Sequence, residues 1–383
     1  MDRPALGRWA ASVGPALGPL GRAGQAFTGL TGVPVDVEDA LFRRAALAGY
    51  RLPERTSANG SCHLLACADG WAAVNLARTD DVTAVPALLA LLGAQPETAV
   101  DPLPLLREAA RRAPAREVVD AAHLLGMAAA VPGAERDRDP LRADRHGPTG
   151  PTSLQGLRVV DLSALWAGPL CARLLRLAGA RVTTVESTTR PDGARLGSPE
   201  FHAWLHDGHD HRVVDFGSGA LADIVAGADL VIEASRPRAL RRLGVHAEEF
   251  LAARPGRVWV SITGYGRDDD RIAFGDDAAV AGGLLGHDAD GGPVFVGDAI
   301  ADPVTGIYAA LGAARSVAAG GGELVEVAMA GCAAEAARCS AGAAVAGRAT
   351  GVGSRGDRAD RRDADDERTA EAPHNSGVLL PPC

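Results

Sequence analysis

Lysine is absent from this 383-residue chain, so all 39 basic residues are arginines. They are outnumbered by 48 acidic residues, and the net charge of −9 disfavours nucleic acid, whose phosphates call for a basic face. No apolar run approaches the ~18 residues of a membrane span, and no basic segment followed by an apolar one marks the N-terminus for secretion. The six cysteines (62, 67, 171, 332, 339 and 383) include no CxxC. Cys62 and Cys67 lack a second pair, which argues against a zinc module and for a reduced, cytoplasmic chain. What is present is a 47 % hydrophobic complement, enough for a sizeable core, in a length that suits two domains.

The first half reads as a smaller α+β unit over residues 1–135. Residues 1–35, rich in Gly, Ala and Pro, give weak helical signals. A helix is expected over Val37–Ala48, a hairpin over Cys62–Leu76 around Asp69-Gly70, and amphipathic helices over Val82–Leu92, Pro102–Arg112 and Arg116–Leu125. Residues 136–153 are charged and punctuated by Pro and Gly, which predicts a linker. Thereafter short apolar strands (Arg158–Leu162, Arg181–Glu186, His211–Phe216, Asp229–Glu233, Arg257–Thr263 and Leu324–Met329) alternate with helical patterns. That alternation predicts an α/β, Rossmann-like, doubly wound and mostly parallel sheet over residues 154–346. Residues 347–383 lack periodicity and are expected to be a disordered tail.

Ligands of such sheets bind beyond the carboxyl ends of the strands. The turn after the first strand, Ser163 to Pro169, has one glycine, so the dinucleotide fingerprint is missing; Walker A and G-x-S-x-G sequences are missing as well. His202, His206, His209 and His211 cluster without a carboxylate or cysteine at metal spacing, and no metal is expected. The segment Gly297-Asp298-Ala299-Ile300-Ala301-Asp302-Pro303-Val304-Thr305-Gly306 places Asp302 where a loop becomes a helix. One reading makes Asp302 an N-cap with Pro303 at the first helical position. The other makes it an ionised carboxylate aimed as a nucleophile.

Several segments, in order, resemble the class III coenzyme A transferases, a family that includes formyl-CoA and carnitine-CoA transferases and 2-methylacyl-CoA racemases. They are Leu154–Leu162 with Ala167-Gly168-Pro169, Leu177–Val182 with Val185-Glu186, Ala228–Glu233 with Arg236-Pro237, Ser261–Gly266, and Gly322–Met329. The resemblance covers about half of the chain. Ala68–Val74 and Leu125–Val131 are similar to the family's smaller domain, which here precedes the catalytic segment instead of following it. The resemblance implies CoA transfer between carboxylic acids through an aspartyl-CoA thioester, with Asp302 as the nucleophile. It implies acyl-CoA and a carboxylic acid as substrates, no tightly bound cofactor, and a homodimer. The CoA-binding residues expected are Trp166, Ala167, Ser187, Val214, Ala234, Ser235, Phe274 and Gly275, with Arg236, Arg242 and Arg271 as phosphate partners by charge. Ser187 stands where the family often has a phosphate-binding arginine, Ala234-Ser235 replace its usual asparagine segment, and Trp166 replaces a small or polar residue. A racemase is the alternative, yet Phe274–Ala278 has no histidine where that branch keeps its His-Asp pair. A non-catalytic CoA-binding relative is the other alternative.

Overall fold

The structure is a computed structural model that describes residues 3–95 and 101–338. It opens with α1 (Arg3–Thr31) and α2 (Val37–Ala48), the latter capped by Asp36, whose carboxylate accepts the Asp39 N–H. Next come β1 (Cys62–Ala66), β2 (Trp71–Asn75), α3 (Thr79–Leu91), α4 (Leu103–Arg112), α5 (Ala115–Leu124) and β3 (Ala128–Ala130). β1 and β2 form the expected hairpin, with Ala66 paired to Trp71. Alternation sends Leu65, Ala72 and Val74 toward α3–α5, where they share a core with Leu88, Leu106 and Val118. The opposite face, Cys62, Leu64 and Ala73, packs with Tyr265, Val280 and Phe295 of the larger unit. This is the smaller α+β layer.

The larger sheet is built from β4 (Leu141–Arg145), β5 (Arg158–Asp161), β6 (Arg181–Ser187), β7 (Asp210–Val214), β8 (Leu230–Glu233) and β9 (Val258–Thr263), closed by β12 (Glu323–Ala328). Helices α6 (Ala167–Leu177), α7 (Pro199–Leu205), α8 (Ala220–Ala226), α9 (Pro237–Arg242), α10 (Ala247–Ala252), α11 (Gly275–Gly282) and α12 (Ala301–Ala318) lie between strands. Before α12 comes the small hairpin β10 (Gly286–His287) and β11 (Pro293–Val294). The strand order is β4-β12-β9-β8-β5-β6-β7, all parallel except β4. From β5 the chain winds outward through β6 and β7, then returns to β8, β9 and β12. The switch point therefore lies between β5 and β8, the doubly wound arrangement expected. No helix among the described residues is long and apolar enough to cross a membrane.

Helix α12 is the axis of the molecule. Buried along most of its length, it packs on α6 and α1. Gly306 permits the approach to α6: a Cβ there would sit 2.8 Å from the Ala167 carbonyl and 2.9 Å from Leu170. Both α6 and α12 begin at the carboxyl end of the sheet.

Several expectations are corrected. Residues 3–31 are one helix, with Trp9, Val13, Leu20 and Phe27 buried along one face. Its glycines and prolines dilute the signal, and tertiary packing makes it stable. With α2 it joins the core of the larger unit and not the smaller layer. The linker expected over 136–153 contains β4, whose antiparallel pairing with β12 (Asp144 to Leu324) closes the sheet edge. Helices α7 and α11, only 7 and 8 residues long, are too short for periodicity to register. The last strand gives way to a helix from residue 329 to 338. Its expected continuation to 346, and the tail over 347–383, lie outside the described residues.

Candidate active site

Asp302 is the second residue of α12 and not its N-cap. Its own N–H bonds the Ala299 carbonyl at 2.9 Å, and Ala299 turns at φ 42°; the helix starts at Ala301, two residues earlier than an N-cap at Asp302 would place it. Pro303 falls third in the helix, still within the first turn where a missing N–H loses nothing. Asp302 keeps partial solvent contact at the carboxyl edge of the sheet, where the N-terminus of α12 favours negative charge.

Two more carboxylates lie near it, Asp276 in the first turn of α11 and Asp298 before α12, with Asp277 next to Asp276; all three are buried. The cation is Arg44 of α2, whose Nε donates to Asp298 Oδ2 at 2.7 Å and whose terminal nitrogen reaches Oδ1 at 2.5 Å. Trp166 lies beneath the guanidinium, 4.8 Å from its ring centre, and meets Phe201 of α7 edge-on at 5.0 Å. Burial opposes the charge on Arg44, but the bonds to Asp298, with Asp302 and Asp276 nearby, hold it firmly protonated.

The same forces act on the acids. Burial pushes Asp302 up to about 7; Arg44 and the Gly275 N–H oppose this, whereas Asp276 and Asp298 reinforce it. Asp276 rises to about 7 through burial and the Asp298 charge, despite accepting the Ala299 N–H at 3.0 Å. Asp277 is also raised to about 7 by burial, although Asn75 of β2 donates to it at 2.9 Å and the Phe274 N–H at 3.0 Å. Gly275 is pressed against the nucleophile candidate. A Cβ there would fall 2.3 Å from the Ala299 oxygen and 2.6 Å from Asp302 Oδ2.

Of the residues expected at the site, Trp166, Ala167, Phe274, Gly275 and Asp302 come together where α6, α11 and α12 begin. Trp166 and Ala167 are core residues there, each 5 % exposed or less. Ser187 and Val214 end β6 and β7 and pair with each other. Ser187 Oγ is 3.0 Å from the Thr189 hydroxyl. Ala234, Ser235 and Arg236 follow β8, with Ser235 donating to Glu233 at 2.8 Å. Arg236 caps the start of α9 and Arg242 is its last residue, both exposed and without an acidic partner among the described residues. Arg271 is held elsewhere: it bonds Asp269 and Glu135 at 2.6 and 2.7 Å and covers the Tyr265 ring at 3.8 Å. A guanidinium so neutralised is not a free cation for phosphate.

Arg44, Asn75, Asp276, Asp277 and Asp298 were not singled out by sequence reasoning. Asp298 lay inside the segment around Asp302, and paired acids opening a helix were a usable signal. Arg44 carried none, lying 254 residues from its partner. A concavity lined by Pro151, Thr152, Gln155, Asp229, Pro255 and Arg257 opens at the amino ends of the strands, opposite this site.

The sequence model of CoA-transferase family III matches residues 154–365, more than half of the chain. The beta subunit of succinyl-CoA–L-malate CoA-transferase of Chloroflexus aurantiacus is 31 % identical over 183 residues, covering 43 % of this chain and 45 % of that one. Succinate–glutarate CoA-transferase of Agrobacterium fabrum is 30 % identical over 177 residues (40 % and 44 %). Formyl-CoA:oxalate CoA-transferase of a Bradyrhizobium strain is 27 % identical over 175 residues (42 % and 41 %). The chain spans about half the length of the curated relatives it matches. Among solved structures, a CAIB/BAIF family protein from Brucella suis is 28 % identical, with a TM-score of 0.44 over 53 % of this chain and 59 % of that one.

Proposed function

This chain belongs to CoA-transferase family III, and on that premise we propose that it moves CoA between carboxylic acids with Asp302 as the nucleophile. The supporting observation is a carboxylate in the first turn of α12, partly open to solvent, with the Gly275 N–H and Arg44 beside it. A carboxylate suits this exchange because the overall reaction trades one carboxylate for another and is nearly isoenergetic.

In the first step Asp302 Oδ attacks the donor thioester carbonyl, the C–S bond breaks, and CoA leaves as thiolate. The thiolate then attacks the aspartyl carbonyl of the anhydride and displaces the donor acid as carboxylate. The acceptor carboxylate attacks the aspartyl thioester, and the released thiolate takes the new acyl group, regenerating Asp302. The Gly275 N–H, which lies beside Asp302, is a donor for charge on its oxygens during these steps. Arg44 supplies the positive charge that balances Asp298 and lies near Asp302 and Asp276.

The racemase alternative requires bases on either side of an α carbon. Its histidine position is filled by Asp276 and Asp277, both tied to backbone or Asn75 donors. The transferase reading is therefore preferred.

Hydroxylamine added with an acyl-CoA donor should inactivate the wild type, and mass spectrometry should place the hydroxamate on Asp302. The Asp302→Asn variant should keep its fold and lose CoA exchange by at least ~10³-fold, as expected for loss of a nucleophile. Exchange retained in that variant would overturn the reading. Deuterium entering the α carbon without an acid acceptor would favour the racemase, and CoA binding without turnover the non-catalytic relative. The homodimer implied by the resemblance is tested by light scattering.

A further inference from the structure

We propose that Asp192, His202 and His206 form a site for one divalent transition-metal ion of the zinc class, beside the carboxyl end of β6. A carboxylate oxygen of Asp192 and one ring nitrogen from each histidine all lie within 4.8 Å of one another. The sequence hides this triad because Asp192 is ten residues upstream in a turn, outside any familiar ligand spacing. The fold assembles it.

The local chemistry is that of a prepared donor set. His202 and His206 are one helical turn apart on α7 and its C-cap, so their rings stack, with centres 4.2 Å apart. His206 Nδ1 donates to the His202 carbonyl at 2.9 Å, which fixes the tautomer and leaves Nε2 as a lone pair. The Nε2 atoms of His202, His206 and His209 are all buried without a hydrogen-bond partner. Native folds seldom leave several such atoms orphaned in one place unless something occupies the space. Asp192, 5 % exposed, is held by the Leu165 and Ala194 N–H groups at 3.0 and 2.9 Å. This is the outer support that orients a ligating carboxylate.

Charge around the triad favours a cation. Glu186 and buried Asp161 join Asp192; of the arginines nearby, Arg195 is bonded to Glu186, while Arg173 and Arg176 lie on the His209 side. His209 and His211 face His206 with ring centres 5.6 and 5.5 Å away, and His209 Nδ1 contacts the Thr184 hydroxyl at 3.1 Å. Two imidazoles and a carboxylate suit zinc, cobalt or nickel and leave a position open for water. The ion would clamp the turn at Asp192 to the end of α7. Through Leu165 it would stiffen the loop that presents Trp166 to Arg44. The site is separate from Asp302, so its fate does not depend on the transfer reaction.

The test begins with full-length protein stripped by a chelator and titrated with Zn²⁺ against a chromophoric competitor. One equivalent should bind, and the melting temperature should rise by several degrees. His202→Gln and His206→Gln should each weaken binding at least tenfold, whereas His287→Gln should not. Co²⁺ loaded in place of Zn²⁺ should give weak visible bands without the intense near-ultraviolet thiolate band. No saturable uptake by the wild type, a thiolate band, or undiminished uptake by the His202→Gln/His206→Gln double variant would each overturn the proposal. Stoichiometry and cobalt spectrum need no variant, so they decide the matter even if a substitution impairs folding.

Discussion

Replacing Arg44 by Met tests whether one arginine holds the acidic cluster together. The substitution keeps an apolar stem over Trp166 and removes the charge, leaving Asp298 buried with its bidentate partner gone. Breaking a buried ion pair from one side costs about 3–5 kcal/mol, because the remaining charge is uncompensated. Arg44 retains 22 % side-chain exposure against none for Asp298, so water can partly replace it, and the lower end, about 3 kcal/mol, is expected. At roughly 2–4 °C per kcal/mol for a unit of this size, the melting temperature should fall by about 6–12 °C. The double variant Arg44→Met/Asp298→Asn should recover most of that loss, since removing both charges leaves nothing unpaired. Urea unfolding of the four proteins yields the coupling energy directly. A loss below ~1 kcal/mol for Arg44→Met, or no recovery in the double variant, would refute the reasoning.

Gly275→Ala should cost about 1–3 kcal/mol of stability, as its methyl is forced onto the Ala299 oxygen and Asp302 Oδ2. If it displaces Asp302 by about 1 Å, exchange should fall on the order of 10²-fold, read as kcat with the binding of CoA little changed. The rate of CoA exchange should climb as pH rises through about 7, because burial raises Asp302 to that value and attack requires the ionised form; a rate flat between pH 5.5 and 8.5 would contradict this. Stability should run the other way. Asp276 and Asp277 are held near 7 in the fold, against ~4 unfolded, so the folded state binds the extra protons between those values. Their contribution is complete below about pH 4 and is lost as pH rises through 7. Urea midpoints should show this slope, and Asp277→Asn should flatten it.

Much of the fold was legible because its cause is local. Continuous apolar strands between short helical segments specify a parallel sheet with both faces covered, and Asp69-Gly70 specifies the hairpin of β1 and β2. The position of Asp302 near the start of a helix was equally readable, though the helix begins two residues sooner. α1 was obscured because glycine and proline weaken its intrinsic preference, and only the packing of Trp9, Val13, Leu20 and Phe27 reveals its face. β4 was invisible for a related reason. Its burial pattern is weak, and its existence depends on backbone pairing with a strand 180 residues away.

The amino-acid sequence by itself determined the doubly wound sheet, the family and the carboxylate at the head of α12, since periodicity and short motifs are properties of neighbouring residues. Only the tertiary structure decided which charges surround that carboxylate. Arg44, Asn75 and the acids of α11 arrive from three separate elements, and their effect on ionisation depends on distance and burial, neither of which is encoded in spacing along the chain. The same holds for Arg271, plausible as a free cation until Asp269 and Glu135 are seen to neutralise it.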